Sequence, residues 1–260
     1  MCTSCARASL RLSVAKYGYT SAQAALARSA GLQVVRADLI WSATEPRSGE
    51  YDFSSYDAWL PILWERGFRV LLILDYKNPL YNGGGSPSTA AGVAAFARWA
   101  AAAAKHWADQ DIIWEVYNEP LNFWAAPAGE HPVDPGLVGP KLGSGACLMY
   151  VGHGGTPTSW QDPYCQELFG WYADMAIKVS QAIKRVQPSA VVVGPAASTR
   201  SWYLDSNQTF LREIFARGVL EHLDAVTVHA YTEGPCAHSH TVLRSYDCTI
   251  SAVSDVRCCP

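Results

Sequence analysis

A rhythm constrains this chain more than any single motif. Short apolar runs alternate with longer stretches of helical period, and polar residues collect where the apolar runs end. Residues 32–39, 68–75, 111–118, 190–194 and 223–229 read as strands. Residues 21–30, 56–66, 89–107, 166–186 and 209–217 read as helices, three of them followed by Gly31, Gly67 and Gly218 at the stop position. Leu168, Tyr172, Met175, Val179, Ile183 and Val186 form one helical stripe. The run from Phe68 to Asp75 is almost continuously apolar, as strands buried on both faces of a parallel sheet are. No two strands are joined by a hairpin turn, so the connections are crossovers and the sheet is expected to be parallel.

Strands alternating with helices make either a barrel or a doubly wound sheet. The polar residues decide between them. Asp38, Trp41, Asp75, Asn78, Asn118, Glu119, His229 and Tyr231 all fall at or just beyond strand C-termini, where barrel enzymes build their sites. A dinucleotide binder would show G-x-G-x-x-G after its first strand, and none occurs. Gly83-Gly84-Gly85 lacks the Lys-Ser/Thr of a phosphate loop. The expected fold is therefore α/β, a (β/α)8 TIM barrel, and an incomplete one. Strands two to six are clear, residues 9–16 make a degraded first strand, and strands seven and eight are absent. Residues 1–235 form the partial barrel domain. It contains a Gly- and Pro-rich loop over 121–163, of a length that is usually functional or disordered. Residues 236–260 form a Cys-rich, divergent tail that reads as a truncation, a divergent exon or a mistranslated end.

Composition narrows the function. Of the 260 residues, 49% are hydrophobic and 17% charged, enough for a large core. A net charge of -3 gives no electrostatic basis for binding nucleic acid or an anionic membrane. The Ala-rich run 90–104 is interrupted by Arg98 and Trp99 and reads as a soluble helix, and residues 1–12 lack the apolar run of a signal peptide. The cysteines are Cys2, Cys5, Cys147, Cys165, Cys236, Cys248, Cys258 and Cys259, at the ends or in loop-like stretches. That placement favours loop disulfides and a secreted or lumenal compartment. Cys147 and Cys165 could close the long loop. Asn207-Gln208-Thr209 is a glycosylation sequon. Cys236, His238, His240 and the later cysteines offer zinc-type ligands, but the spacing fits no zinc module, so no metal or cofactor is expected. A monomer is expected.

The chemistry concentrates in Trp114-Glu115-Val116-Tyr117-Asn118-Glu119-Pro120. An acid at a strand end, beside an Asn and near Tyr117, Phe123 and Trp124, can be desolvated so that it holds its proton and serves as a general acid/base. Alone, Asn-Glu-Pro also reads as a turn ending a strand. Four segments in order carry more weight. The Trp114–Pro120 segment resembles the fourth-strand signature of the barrel clan of retaining glycosidases, which includes the cellulase-like family 5 and the β-xylosidase-like family 39. Val35-Arg36-Ala37-Asp38, with Trp41, Glu45-Pro46 and Gly49-Glu50-Tyr51-Asp52-Phe53, resembles that clan's second strand and following loop. The segment 72–81, with Asp75-Tyr76-Lys77-Asn78-Pro79, resembles the third strand of family 39. Val226-Thr227-Val228-His229-Ala230-Tyr231 resembles the sixth strand. Together the matches cover about residues 20–235.

The resemblance implies hydrolysis of O-glycosidic bonds in β-linked glycosides or polysaccharides, with a carbohydrate as the partner and two carboxyl groups doing the work. It makes Glu119 the acid/base and Asn118 the partner of the sugar 2-hydroxyl. Arg36 lies beneath the site and orients the nucleophile. His229 and Tyr231 line the cleft, and Trp41, Asp75, Tyr76, Asn78 and Trp124 are sugar contacts. The residues themselves leave alternatives. Arg36 and Asp38 share a strand face, which suits an ion pair as well as a site. His229 could be a core histidine. Glu115 alternates onto the face of Tyr117 and Glu119, where it is a second site carboxylate or, as we favour, the buried partner of Arg36. Glu45, before Pro46, reads as a loop or helix-entry residue.

The clan's nucleophile is a Glu at the end of strand seven. After the sixth run the chain offers only Glu233, too close to His229 to belong to another strand, and Asp247 and Asp255 end no apolar run. The chain as written is therefore expected to hydrolyse little or nothing. The alternative is a non-catalytic carbohydrate-binding remnant that keeps the aromatic cleft.

Overall fold

The computed structural model describes residues 12–15, 18–123, 163–198, 204–229 and 254–255. Among them, seven strands make one sheet in chain order. They are β1 (Leu12–Ala15), β2 (Val34–Ile40), β3 (Arg69–Asp75), β4 (Ile112–Val116), β5 (Val191–Ser198), β6 (Ala225–His229) and β7 (Ser254–Asp255). The first six pair in parallel, each with the next. The degraded first strand does form, with Leu12 opposite Val34. The all-parallel expectation needs one correction. Residues 254 and 255 add to β6 antiparallel, with Asp255 opposite Ala225. That two-residue addition is no barrel strand, and no parallel seventh strand occurs among the described residues.

The helices are α1 (Ser21–Ser29), α2 (Trp41–Thr44), α3 (Ser54–Asp57), α4 (Leu60–Trp64), α5 (Ala90–His106), α6 (Pro120–Phe123), α7 (Pro163–Val186) and α8 (Leu204–Ala216). α1 starts on a capping box: Gln23 N donates to Thr20 Oγ1 at 3.3 Å and Thr20 N to Gln23 Oε1 at 2.9 Å. The single helix expected over 56–66 is two short ones. Pro61 sits in the first turn of α4, where its missing N–H is harmless, whereas it would break a helix running through. Cys165, expected in a loop, lies in the first turn of α7. The other seven cysteines, and with them the Cys147–Cys165 bridge and the tail's zinc-type ligands, fall outside the described residues, as do Trp124 and Tyr231.

Each strand sends alternate side chains to opposite faces. The outer face holds Val35, Ala37 and Leu39 of β2, Val70, Leu72 and Leu74 of β3, and Ile112, Trp114 and Val116 of β4. These pack under Leu63, Phe96, Trp99, Tyr172 and Ile183 from the helices, and α5 lies against α7. Fully burying one such side chain contributes about 1.5–3 kcal/mol. The inner face carries a second, smaller cluster of Val34, Leu71, Ile73, Ile113, Val193 and Ala225. Register stacks it in layers, with Ile73 opposite Glu115 and Glu115 opposite Val193. Two residues further along each strand, the same inner face turns polar: Arg36 follows Val34, Asp75 follows Ile73, and Glu115 follows Ile113. Charged and apolar side chains thus share the inner face, Arg36 level with Leu71 and Glu115 with Ile73, while Asp75 ends β3 beyond them.

Candidate active site

β4 ends at Val116, and the chain then leaves strand geometry. Tyr117 has φ 67° and Glu119 φ 43°, both left-handed, a conformation that costs an L residue about 1–3 kcal/mol and is found at functional sites. Tyr117 turns outward into the helix-facing core, fully buried, with its hydroxyl 2.5 Å from Ser86 Oγ. The expectation that Tyr117 shares the face of Glu115 fails for this reason: the left-handed residue interrupts the period of two. Its phenol is raised above its usual range, chiefly by burial.

Asn118 is consequently returned to the inner side above Glu115, where three neighbours hold it. Its backbone N–H donates to Asp75 Oδ1 at 3.0 Å. Its Nδ2 donates to the Tyr76 hydroxyl at 2.9 Å. Its Oδ1 accepts from Arg36 Nη2 at 2.8 Å. Arg36 also donates through Nε to Glu115 Oε2 at 2.7 Å, with Nη2 2.6 Å from the same oxygen. Glu115 is thus an ion-pair partner of Arg36. Glu115 is 1% exposed and is structural, as favoured from the sequence.

Glu119 is 9% exposed. Its Oε1 lies 2.6 Å from His229 Nδ1, linking the end of β4 to the end of β6. With Glu119 ionised, the Nδ1–H donates to it. His229 is therefore no isolated core histidine. The described residues bring Arg36, Asn118, Glu119 and His229 together, with Asp75 and Tyr76 behind them.

Asp75 is fully buried. Burial pushes its carboxyl well above the usual range, the charge of Asp38 adds to this, and Arg36 and the Asn118 N–H oppose it. Its Oδ2 has no hydrogen-bond partner among the described residues. The Tyr76 phenol is likewise raised, first by burial and then by Asp75.

Three expected sugar contacts need correction. Trp41 is 0% exposed, stacked on Tyr81 at 5.0 Å and edge-on to Phe96, with its Nε1 donating to Glu45. Asn78 is 1% exposed, its Nδ2 donating to Glu45 O at 2.9 Å and its Oδ1 accepting from Leu80 N at 3.0 Å. Asp75 is 0% exposed. All three are enclosed by neighbouring loops and form the frame of the site. Glu45 is a buried loop holder, accepting from Trp41 Nε1, from Gly49 N at 2.8 Å and from the Tyr81 hydroxyl at 2.6 Å.

Other supports carried no sequence signal. The Tyr172 hydroxyl donates to Val116 O at 3.0 Å beneath the β4 turn. Thr227 Oγ1 accepts from Ala196 N at 2.9 Å, where the β5–β6 register shifts between Gly194 and Ala197. Asp255 sits opposite Ala225, four residues before His229 on β6, so its backbone lies roughly 13 Å along the strand from the site face. Among the described residues no group of three His, Cys, Asp or Glu could hold a metal, and no helix is long and apolar enough to cross a membrane.

A parallel sheet with crossover helices and polar residues gathered on its C-terminal face is the architecture of a TIM-barrel enzyme. The sequence profile of the cellulase family, glycosyl hydrolase family 5, matches residues 6–135, half of the chain. The chain belongs to that family. Among solved structures, it resembles a β-glycosidase at 18% identity and TM-score 0.53, covering 80% of this chain and 53% of that one. A psychrophilic family 10 endo-β-1,4-xylanase matches at 14% identity and TM-score 0.54, covering 87% and 66%. The family 39 enzyme from Xanthomonas axonopodis pv. citri matches at 14% identity and TM-score 0.52, covering 85% and 40%. At such identities the likeness is one of fold, a TIM barrel. The chain spans about half the length of these structures. No curated protein matches the sequence.

Proposed function

We propose that Glu119 is the general acid/base of a retaining glycosidase site for β-linked glycosides, xylosides or related glycans. The observation that carries this is the 2.6 Å contact of Glu119 with His229 across the C-terminal ends of two parallel strands. A retaining site needs a carboxyl group that protonates the departing oxygen and then deprotonates water. Glu119 is largely shielded from solvent yet still exposed enough to reach a ligand. Asn118 has one amide hydrogen on Tyr76 and its Oδ1 on Arg36. Its second amide hydrogen points to a role as donor to a sugar 2-hydroxyl. Tyr231 and Trp124 complete the aromatic cleft in this reading. The cysteine content supports a secreted, disulfide-bonded protein.

The nucleophile is a separate matter. The 260 residues contain no Glu after Glu233. This chain by itself therefore hydrolyses little or nothing, and sugar binding without turnover is its expected behaviour. Aryl β-xylosides and β-glucosides test the first part: robust turnover abolished by Glu119→Gln would contradict inactivity and demand another nucleophile. Glycoimidazoles of xylose and glucose configuration test the second. Their in-plane ring nitrogen takes the place of the glycosidic oxygen and accepts the acid's proton. Measurable binding by the chain supports the reading, and none contradicts it.

A further inference from the structure

Asp75 and Tyr76, consecutive at the end of β3, take hold of Asn118 twice, one through its backbone and one through its side chain. Asn118 lies between two left-handed residues, Tyr117 and Glu119, so its backbone orientation sets where the Glu119 carboxyl emerges. We propose that Asp75 is a positioning residue: through the Asn118 N–H it fixes the β4 turn that aims Glu119. This rests on the reading of Glu119 as acid/base.

Three observations support it. Asp75 is 0% exposed, so it meets no ligand directly. Its Oδ1 accepts the Asn118 N–H, a backbone donor that no strand ladder satisfies, because β4 ends at Val116. The charges beside it are already paired, since Arg36 and Glu115 neutralise one another beneath Asn118. Burial and the neighbouring Asp38 favour its uncharged form. An uncharged acid supplies a carbonyl-type acceptor without placing a further buried charge beside Glu115. Asparagine at this position has the same acceptor and the same charge, whereas alanine has neither acceptor nor bulk.

The test compares Asp75→Asn and Asp75→Ala by two readouts, amide hydrogen exchange at Asn118 and glycoimidazole affinity. Loss of one hydrogen bond corresponds to about tenfold in an equilibrium. Asp75→Ala is expected to speed Asn118 exchange and to weaken glycoimidazole binding, each by about tenfold, while binding of a neutral disaccharide such as xylobiose changes little. Asp75→Asn is expected to recover most of both losses. A structural role alone would lower thermal stability and affect both ligands equally. The proposal is overturned if Asp75→Ala keeps Asn118 protection, or if a folded Asp75→Asn loses as much as Asp75→Ala. The Asn variant alone suffices should the Ala variant not fold. Protection that behaves as expected without glycoimidazole binding by the unaltered chain would overturn the acid/base reading instead, and with it the aim assigned to Asp75.

Discussion

The Arg36 guanidinium and the Glu115 carboxylate meet at 2.6 Å between adjacent layers of the inner sheet face, the carboxylate 1% exposed. Removing one partner leaves the other charge buried and uncompensated, which costs about 3–5 kcal/mol. Arg36→Met and Glu115→Leu should each destabilise the chain by about that amount in urea unfolding, and the double variant by less than the sum. Strict additivity would show that the two charges are not coupled.

The His229 contact makes a prediction about orientation. A hydrogen bond to a charged group contributes about 1.5–3 kcal/mol. His229→Ala should weaken glycoimidazole binding by at least about tenfold, and His229→Gln, which keeps a donor, should recover part of it. Equal affinities for the unaltered chain and His229→Ala would remove His229 from the site.

Gly194 tests the packing beneath the β4 turn. A Cβ there would stand 3.0 Å from the Tyr172 hydroxyl and 3.3 Å from Val116 O. Gly194→Ala should cost about 1–3 kcal/mol, as overpacking does. Adding Tyr172→Phe removes the nearer atom and should restore part of the loss, measured by thermal unfolding. No recovery would place the strain on Val116 O alone.

These sites differ in how far they can be read from sequence. β2 to β6 are apolar runs, β2 and β3 entered through Gly31 and Gly67, and a period of two suffices to put Arg36 and Glu115 on one face. The Tyr117 turn is hidden, because nothing in Val-Tyr-Asn-Glu signals a left-handed tyrosine that breaks the alternation. Trp41 and Asn78 stand where ligand contacts belong, just past strand ends. Only the fold of the β3 loop, which stacks Tyr81 on Trp41 and closes Asn78 over Glu45, shows them to be buried. β1 is short and its stretch of sequence is mixed in polarity, so it is recognisable chiefly by its pairing with β2.

Asp75 gives the stability a pH dependence of known sign. Its folded carboxyl is raised above the unfolded value of about 3.9. Below about pH 4 both states hold the proton and Asp75 contributes no slope. Above it the unfolded chain ionises while the folded one keeps its proton, so stability falls with rising pH by up to about 1.4 kcal/mol per unit until the folded carboxyl ionises too. Asp75→Asn lacks this term. Its stability relative to the unaltered chain should improve steadily from pH 4 towards neutrality in urea titrations. Parallel curves would mean that Asp75 is ionised in the folded state.

Glu119 as proton donor is tested most directly by calorimetric titration of a xylose- or glucose-configured glycoimidazole into the unaltered chain and Glu119→Gln. A neutral amide has no proton to give to the imidazole nitrogen but keeps nearly the same shape. The account predicts binding by the unaltered chain, weakened at least about tenfold in Glu119→Gln, with xylobiose affinity little changed. Equal glycoimidazole affinities in the two proteins would contradict it.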